Sequence, residues 1–214
     1  MSSTRVLVAD ASSTDGTPAI VMSFRDRLNV SVIRGGMPSA GRNQGAAQAD
    51  TPYVLFIDAD IELADRSLVR RCVEQAQRDS LHCVTTNIVC RDGNWIDKLF
   101  YTAGVDLCQY LSYLHRPFAT GMFMLFDRRK FWALGGFNEL IHFAEDYKLS
   151  QQVERKRFAI VRGGVWTTNR RFKRMGHLPV GWLFVKTALN FWNEKHFLRD
   201  HKYWANEADG TGRA

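Results

Sequence analysis

The run Tyr53–Ile57 (YVLFI), bounded by Pro52 and Asp58, is continuously apolar, and such a run is stable as a strand only where both of its faces are covered. Around it, short β-branched and apolar runs alternate with helical patterns. That alternation predicts an α/β fold with a mostly parallel central sheet flanked by helices. Strands are expected at Val6–Ala9, Asn29–Ile33, His82–Cys90, Met122–Phe126 and Phe158–Val161. Helices are expected from about Pro18 to Arg27, as a short Ala-rich helix after a glycine-rich loop within GGMPSAGRNQGAAQA, and at Arg66–Arg78, Asn94–Leu114, Arg128–Leu134 and Glu145–Arg155. With 214 residues and 45% hydrophobic content, the chain has room for one sizeable core.

Open α/β sheets place ligands at the carboxyl ends of their strands, and Asp58-Ala59-Asp60 directly follows the central run. Two carboxylates one residue apart can share a hard divalent ion, Mg2+ or Mn2+, that keeps positions open for substrate phosphates. The bland alternative is a polar strand end at which Asp60 or Asp65 caps the next helix. A phosphatase-type DxDx[TV] motif is disfavoured, because Ile61 and Glu62 follow.

Glu145-Asp146 opens a predicted helix. A carboxylate there can take a proton from an acceptor hydroxyl as a general base, or simply interact with the helix dipole. Arg170-Arg171, with Lys173 and Arg174, can clamp a leaving diphosphate or form a solvated basic face. Asp10, Asp15, Arg42 and Asn43 lie in segments that follow the first two strands, where they either read a base and ribose or shape turns.

The formal charge of +7 suits an anionic partner. Nucleic acid is disfavoured by the spread of the basic residues and by the lack of any zinc-finger, basic-zipper or RNA-binding motif. Cys72, Cys83, Cys90 and Cys108 have no CxxC spacing and read as reduced thiols. The start MSSTRVLVAD has no signal-peptide pattern, which predicts a cytoplasmic protein. The most apolar window, Leu178–Trp192, is shorter than the roughly 20 residues of a spanning helix and contains Lys186. Trp182, Phe184, Phe191, Trp192, Phe197, Tyr203 and Trp204 make the segment 177–214 a basic, aromatic helical extension. It is expected either to pack on the core or to make peripheral contact with the inner face of a membrane.

Taken in order, the motifs resemble those of the family 2 glycosyltransferases, inverting enzymes with the GT-A nucleotide-binding fold. VLVADASSTDGT resembles that family's second strand and DGSTDGT turn, GRNQGAAQA its ARNxG segment, and FIDADIEL its metal-binding DxD strand. GGFNE, AEDYKLS and TNRRF resemble its acceptor-side loop, catalytic ED pair and late arginine pair. The likeness covers about residues 5 to 175 and implies a transferase domain over 1–176. It also implies that the family's first strand, which normally precedes this opening segment, is absent, so that the domain is N-terminally incomplete.

By resemblance, Asp10 and Arg42 contact the nucleoside base, Asp58 lies near the ribose and the metal, and Asp60 is the direct ligand to Mn2+ or Mg2+. Asp146 is the catalytic base with Glu145 beside it. Arg170 and Arg171 steady the leaving diphosphate, while Gly135, Gly136 and Phe137 line the sugar and acceptor side. The implied reaction is sugar transfer from a nucleoside diphosphate, with inversion, to a lipid-linked, polysaccharide or small-molecule acceptor such as a cell envelope glycan. The alternative is a noncatalytic nucleotide-sugar-binding or scaffold relative of the same fold. A nucleotidyltransferase is disfavoured, because its glycine-rich basic N-terminal signature is absent.

Overall fold

The computed structural model describes residues 4–112, 116–190, 192–199, 201 and 203. In chain order its first elements are β1 (Arg5–Asp10), α1 (Thr17–Met22), β2 (Asn29–Arg34), α2 (Pro38–Gln48), β3 (Tyr53–Ile57), β4 (Glu62–Leu63), α3 (Leu68–Arg78) and β5 (Cys83–Cys90). Then come α4 (Trp95–Leu99), a π-helical segment Phe100–Asp106, α5 (Leu107–Ser112), β6 (Phe123–Asp127), α6 (Arg128–Ala133) and α7 (Glu145–Ser150). A 3-10 turn at Arg155–Arg157 leads into β7 (Phe158–Thr167), α8 (Arg170–Met175), α9 (His177–Leu189) and α10 (Glu194–Leu198).

These elements form two compact units. The first comprises the described residues of Met1–Thr51, Gly136–Glu145 and Glu194–Ala214, and the second comprises those of Pro52–Gly135 and Asp146–Asn193. In the first unit, β1 and β2 pair in parallel from Arg5↔Asn29 to Asp10↔Arg34. The chain leaves β2 through Gly35, whose N–H donates to the Asp10 carbonyl at 2.7 Å. A Cβ on Gly35 would lie 2.8 Å from the carbonyl carbons of Ala9 and Asp10, so this turn closes only with glycine. Also within this unit, α10 buries Phe197, and the Phe143 and Tyr203 rings meet at 4.6 Å.

The second unit holds a five-stranded sheet in the order β3-β6-β5-β7-β4. Here the expected mostly parallel arrangement is corrected, for the sheet is mixed. Only β5 and β7 run parallel, while β3/β6, β5/β6 and β4/β7 are antiparallel. Hydrophobic periodicity reports which segments are strands and which are helices, but not whether the connection between two strands reverses the chain. Both connections that flank β6 reverse it.

Other boundaries also differ from expectation. α1 stops at Met22 and α7 at Ser150, β7 continues to Thr167, and the short β4 had no sequence signal. The predicted Asn94–Leu114 helix is divided by a π segment, and its last two positions, residues 113 and 114, lie outside the described residues.

The core of this unit lies between the sheet and α3, whose Leu68, Cys72 and Ala76 face inward at helical spacing. Burial pushes the Cys72 thiol up to about 11, and all four cysteines are free. The aromatic extension is not one surface. Phe184 packs on Phe100, Phe197 and Tyr203 are buried, and Trp182 and Trp192 face solvent. Phe191 and Trp204 lie outside the described residues.

One buried carboxylate ties three helices together. Asn94 and Asp97 form a capping box at the start of α4: the Asn94 side chain accepts from the Ile96 and Asp97 amides, and Asp97 accepts from the Asn94 amide at 2.9 Å. Asp97 is 1% exposed and also accepts from Asn169 Nδ2 at 3.1 Å and His177 Nε2 at 2.5 Å. Asn169 precedes α8 and His177 opens α9, so both helices are anchored to α4. Burial raises the Asp97 pKa, but the hydrogen bonds from Asn169, His177 and the Asn94 amide outweigh it and hold the carboxyl below the ordinary aspartate value.

Replacing Asp97 with Ala strands several donors and is expected to cost about 2–4 kcal/mol. Because the folded-state pKa lies below the unfolded one, the carboxylate's contribution is complete above the unfolded value and is lost as pH falls through the folded value. Urea denaturation across an acidic pH series should therefore show the wild type and Asp97→Ala converging at low pH. Equal midpoints at neutral pH would contradict the anchoring role.

Candidate active site

The antiparallel register of β3 on β6 ends at Ile57↔Phe123. The residues that leave β3, beginning with Asp58, are therefore at the same end of the sheet as those that enter β6, Gly121 and Met122. This is the end to which α7 is fastened. The Gly121 N–H donates to Asp146 Oδ2 at 2.5 Å, the Ala119 N–H donates to Ser150 Oγ at 3.2 Å, and the Phe118 and Tyr147 rings meet edge to face at 5.5 Å. The other oxygen of Asp146 accepts from the Tyr147 amide at 2.7 Å. Each carboxylate oxygen has two acceptor positions, so both oxygens keep capacity beyond these amides while their orientation is fixed. The role of Gly121 had no sequence signal other than its place at the start of a strand.

The acidic step after β3 divides its work. Asp65 forms the turn before α3, accepting from the Ser67 amide at 2.7 Å and the Ser67 hydroxyl at 2.8 Å and pairing with Arg71 at 2.8 Å. Asp60 takes no part in that turn. Its Oδ2 instead meets Arg170 Nη2 at 3.1 Å, which places one of the late arginines beside the DxD step. Arg171 follows Arg170 in the first turn of α8. Asp58 is half-buried, and its carbonyl accepts from the Ile61 amide.

Beside Asp60 is a cleft of about 150 Å3, also lined by Glu62, Arg91, Asp92, Trp166, Thr167 and Thr168. Arg91 pairs with Glu62 and lies over the Trp166 ring at 4.9 Å. Asp58 and Asp60 offer hard oxygen donors, the type that Mg2+ and Mn2+ accept together with phosphate oxygens and water. Among the described residues, no three His, Cys, Asp or Glu side chains gather as a metal cage.

The remaining candidates belong to the first unit, except Gly135. Asp10 accepts from the amides of Ser12 and Ser13 at 3.1 Å, and Asp15 from the amide and hydroxyl of Thr17, so both carboxylates shape turns after β1. On α2, Arg42 pairs with Glu145 at 2.5 Å and lies over the Phe137 ring at 5.4 Å. Asn43 accepts from the Phe137 amide through its Oδ1, and its Nδ2 donates to the Phe137 carbonyl and the Glu139 carboxylate. The ARN-like segment thus holds the GGFNE loop by its backbone. Gly135 and Gly136 enter that loop at φ +88° and +69°, values that favour glycine. Ala144 has φ +61°, an uncommon conformation for a residue with a Cβ, directly before the Glu145-Asp146 pair.

The model of glycosyl transferase family 2 matches residues 2–135. The chain belongs to that family. No curated protein matches it. Among solved structures, it is similar to a mannosyltransferase from Pyrobaculum calidifontis in complex with GDP-Man and Mn2+, with a TM-score of 0.63 at 18% identity over 98% of this chain and 56% of that one. It is also similar to TarS 1-349 of S. aureus in complex with UDP-GlcNAc, with a TM-score of 0.59 at 19% identity over 78% of this chain and 50% of that one. A third is glucosyl-3-phosphoglycerate synthase of Mycobacterium tuberculosis with Mn2+, UDP-Glc and phosphoglyceric acid, at 0.59, 16% identity, and 86% and 67% coverage. The chain spans about half the length of the TarS and mannosyltransferase chains.

Each unit holds one arginine–carboxylate pair among these candidates, and the two pairs differ in burial, so their energetics should differ with it. The side chains of Arg42 and Glu145 are 15% and 7% exposed, against 69% and 41% for Arg170 and Asp60. Arg42→Ala is expected to cost about 2–4 kcal/mol by taking the cation away from a buried carboxylate, and Arg170→Ala less than about 1 kcal/mol. Chemical denaturation of both variants measures this, and a reversed order would contradict the assignment.

Proposed function

We propose that this member of glycosyl transferase family 2 moves a sugar from a nucleoside diphosphate onto an acceptor hydroxyl, with inversion at the anomeric carbon. The observation that carries the reading is the β3/β6 register, which puts the DxD step and the Gly121-held Asp146 at one end of one sheet. In this reading residues 1–176 are the transferase portion and 177–214 an extension.

Asp146 is the base. It accepts the acceptor's hydroxyl proton as that oxygen bonds to the anomeric carbon, and the bond from that carbon to the diphosphate oxygen breaks with its electron pair leaving on the diphosphate. The Gly121 and Tyr147 amides fix the carboxylate's orientation, so little reorganisation is needed at the moment of transfer. Glu145, engaged by Arg42, holds the start of α7.

Asp60 and Asp58 hold a divalent cation, Mn2+ or Mg2+, whose chemistry is to neutralise charge on the diphosphate. Arg170, next to Asp60, adds hydrogen bonds to the leaving group, and Arg171 supports it. Asp10 and Arg42 serve the base, and Gly135, Gly136 and Phe137 shape the sugar and acceptor side. Two of the solved neighbours carry GDP-Man or UDP-Glc together with Mn2+ and a third carries UDP-GlcNAc, so UDP- and GDP-linked sugars are the donor class to try first.

Asp146→Asn retains an acceptor for the Gly121 amide but cannot take a proton. It should keep donor binding and lose about 10²–10⁴-fold in turnover. Asp60→Ala should abolish the Mn2+-dependent part of donor-induced thermal stabilisation, measured across a series of UDP- and GDP-sugars. Near wild-type transfer by Asp146→Asn would remove it as the base. Unchanged Mn2+-dependent stabilisation in Asp60→Ala would remove the metal assignment.

A further inference from the structure

α9 is apolar on two sides, and only one of them is used. Val180 is 2% exposed and Thr187 6%, Phe184 packs on Phe100 with ring centroids 5.6 Å apart, and Gly181 lies against the same ring, so this side is fixed to the π-helical segment. Leu178, Trp182, Val185 and Leu189 are 86%, 66%, 50% and 61% exposed. Their spacing of i, i+4, i+7 and i+11 places them within an arc of about 60° along a helix about 20 Å long. Trp95 and Leu99 of α4, the helix that leads directly into Phe100, are 73% and 54% exposed. An outward stripe of this kind on an anchored helix marks a docking surface.

Charge identifies the partner. From Arg170 to Asn193 the chain has no Asp or Glu, and it carries Arg170, Arg171, Lys173, Arg174 and Lys186. Lys173, Arg174 and Lys186 are exposed, as is Lys98 on α4. Trp and Leu on one helix face, flanked by cations with no intervening acid, match an anionic lipid interface, where indole rings sit at headgroup level and Lys and Arg meet the phosphates. Among the described residues, no helix is long and apolar enough to cross a membrane. We propose that α9, with the exposed side of α4, lies in the surface of an anionic bilayer. This contact involves Leu178, Trp182, Val185 and Leu189 and excludes Phe184, Phe197 and Tyr203, which are packed inward.

The test is flotation of the full chain, without donor or metal, on vesicles of phosphatidylcholine alone and of phosphatidylcholine with about one-third phosphatidylglycerol. Binding is expected only to the anionic vesicles and should weaken as salt is raised. Leu178→Ser/Trp182→Ser, with a thermal midpoint matching wild type, should bind roughly tenfold more weakly. Lys98→Glu/Lys186→Glu should lose the preference for anionic lipid while leaving the apolar stripe intact. Val185→Ser/Leu189→Ser provides a second reading of the stripe should the first pair fail to fold.

Failure of the wild type to float, or equal flotation of the stripe and charge variants, overturns the proposal. It is also overturned if light scattering shows an oligomer that the stripe variants dissociate while the wild type stays off the vesicles, since the surface then joins protein to protein. None of these readouts depends on sugar transfer.

Discussion

Strand β6 is the constraint on which the described architecture of the larger unit turns. Phe123, Met124, Leu125 and Phe126 are all at most 3% exposed, and both edges of the strand are hydrogen-bonded, to β3 on one side and to β5 on the other. A strand covered on both faces and both edges cannot shift register without moving every side chain to the wrong face. Its beginning places Gly121 against Asp146, and its end, through the Asp127 side chain and the Lys130 amide, caps α6. The Phe56, Phe126 and Phe131 rings then lock β3 and α6 to it. The positions of the acidic step and of the proposed base both follow from this strand.

Much of this was legible because burial writes itself into composition. The run Tyr53–Ile57 is observed as a strand with the bounds expected from its apolar continuity, but it is an edge strand of its sheet in which only Phe56 is buried, not the buried central strand expected, and β6 is shifted from expectation by one residue. Strand direction was not legible, because a strand buried on both faces reads the same whichever way it runs. The end of β7 was missed for a local reason: Gly163 and Gly164 interrupt the apolar pattern, and the strand crosses them by pairing with β5 on one side and β4 on the other. The early end of α7 is likewise invisible in a helical pattern that runs on to Arg155.

At the site, residue types predicted chemistry better than they predicted partners. Asp60 and Asp65 were equal candidates for capping from spacing alone, and only the Ser67 hydrogen bonds assign that work to Asp65. Asn43 was one of four polar residues read as either contacting a base and ribose or shaping turns, yet it makes two hydrogen bonds to the backbone of Phe137, a residue 94 positions away. No local pattern encodes a contact over such a separation. Asp97 carried no sequence signal as a hub, because an Asp near a helix start is common; its importance lies in Asn169 and His177, which reach it from more than 70 residues away.

The same hub explains how one short stretch can serve two kinds of surface. The Asp92 and Asp97 carboxylates hold Asn169, through its amide and its side chain, and so set where α8 begins and where Arg170 projects toward Asp60. Asp97 also holds His177, whose ring stacks on Phe172 at 4.8 Å and sets where α9 begins. A helix fixed at its first residue and along its Phe184 side cannot turn its outer stripe inward. The exposure of Leu178, Trp182, Val185 and Leu189 is therefore a consequence of the packing that orients Arg170, and a change at Asp97 must reach both.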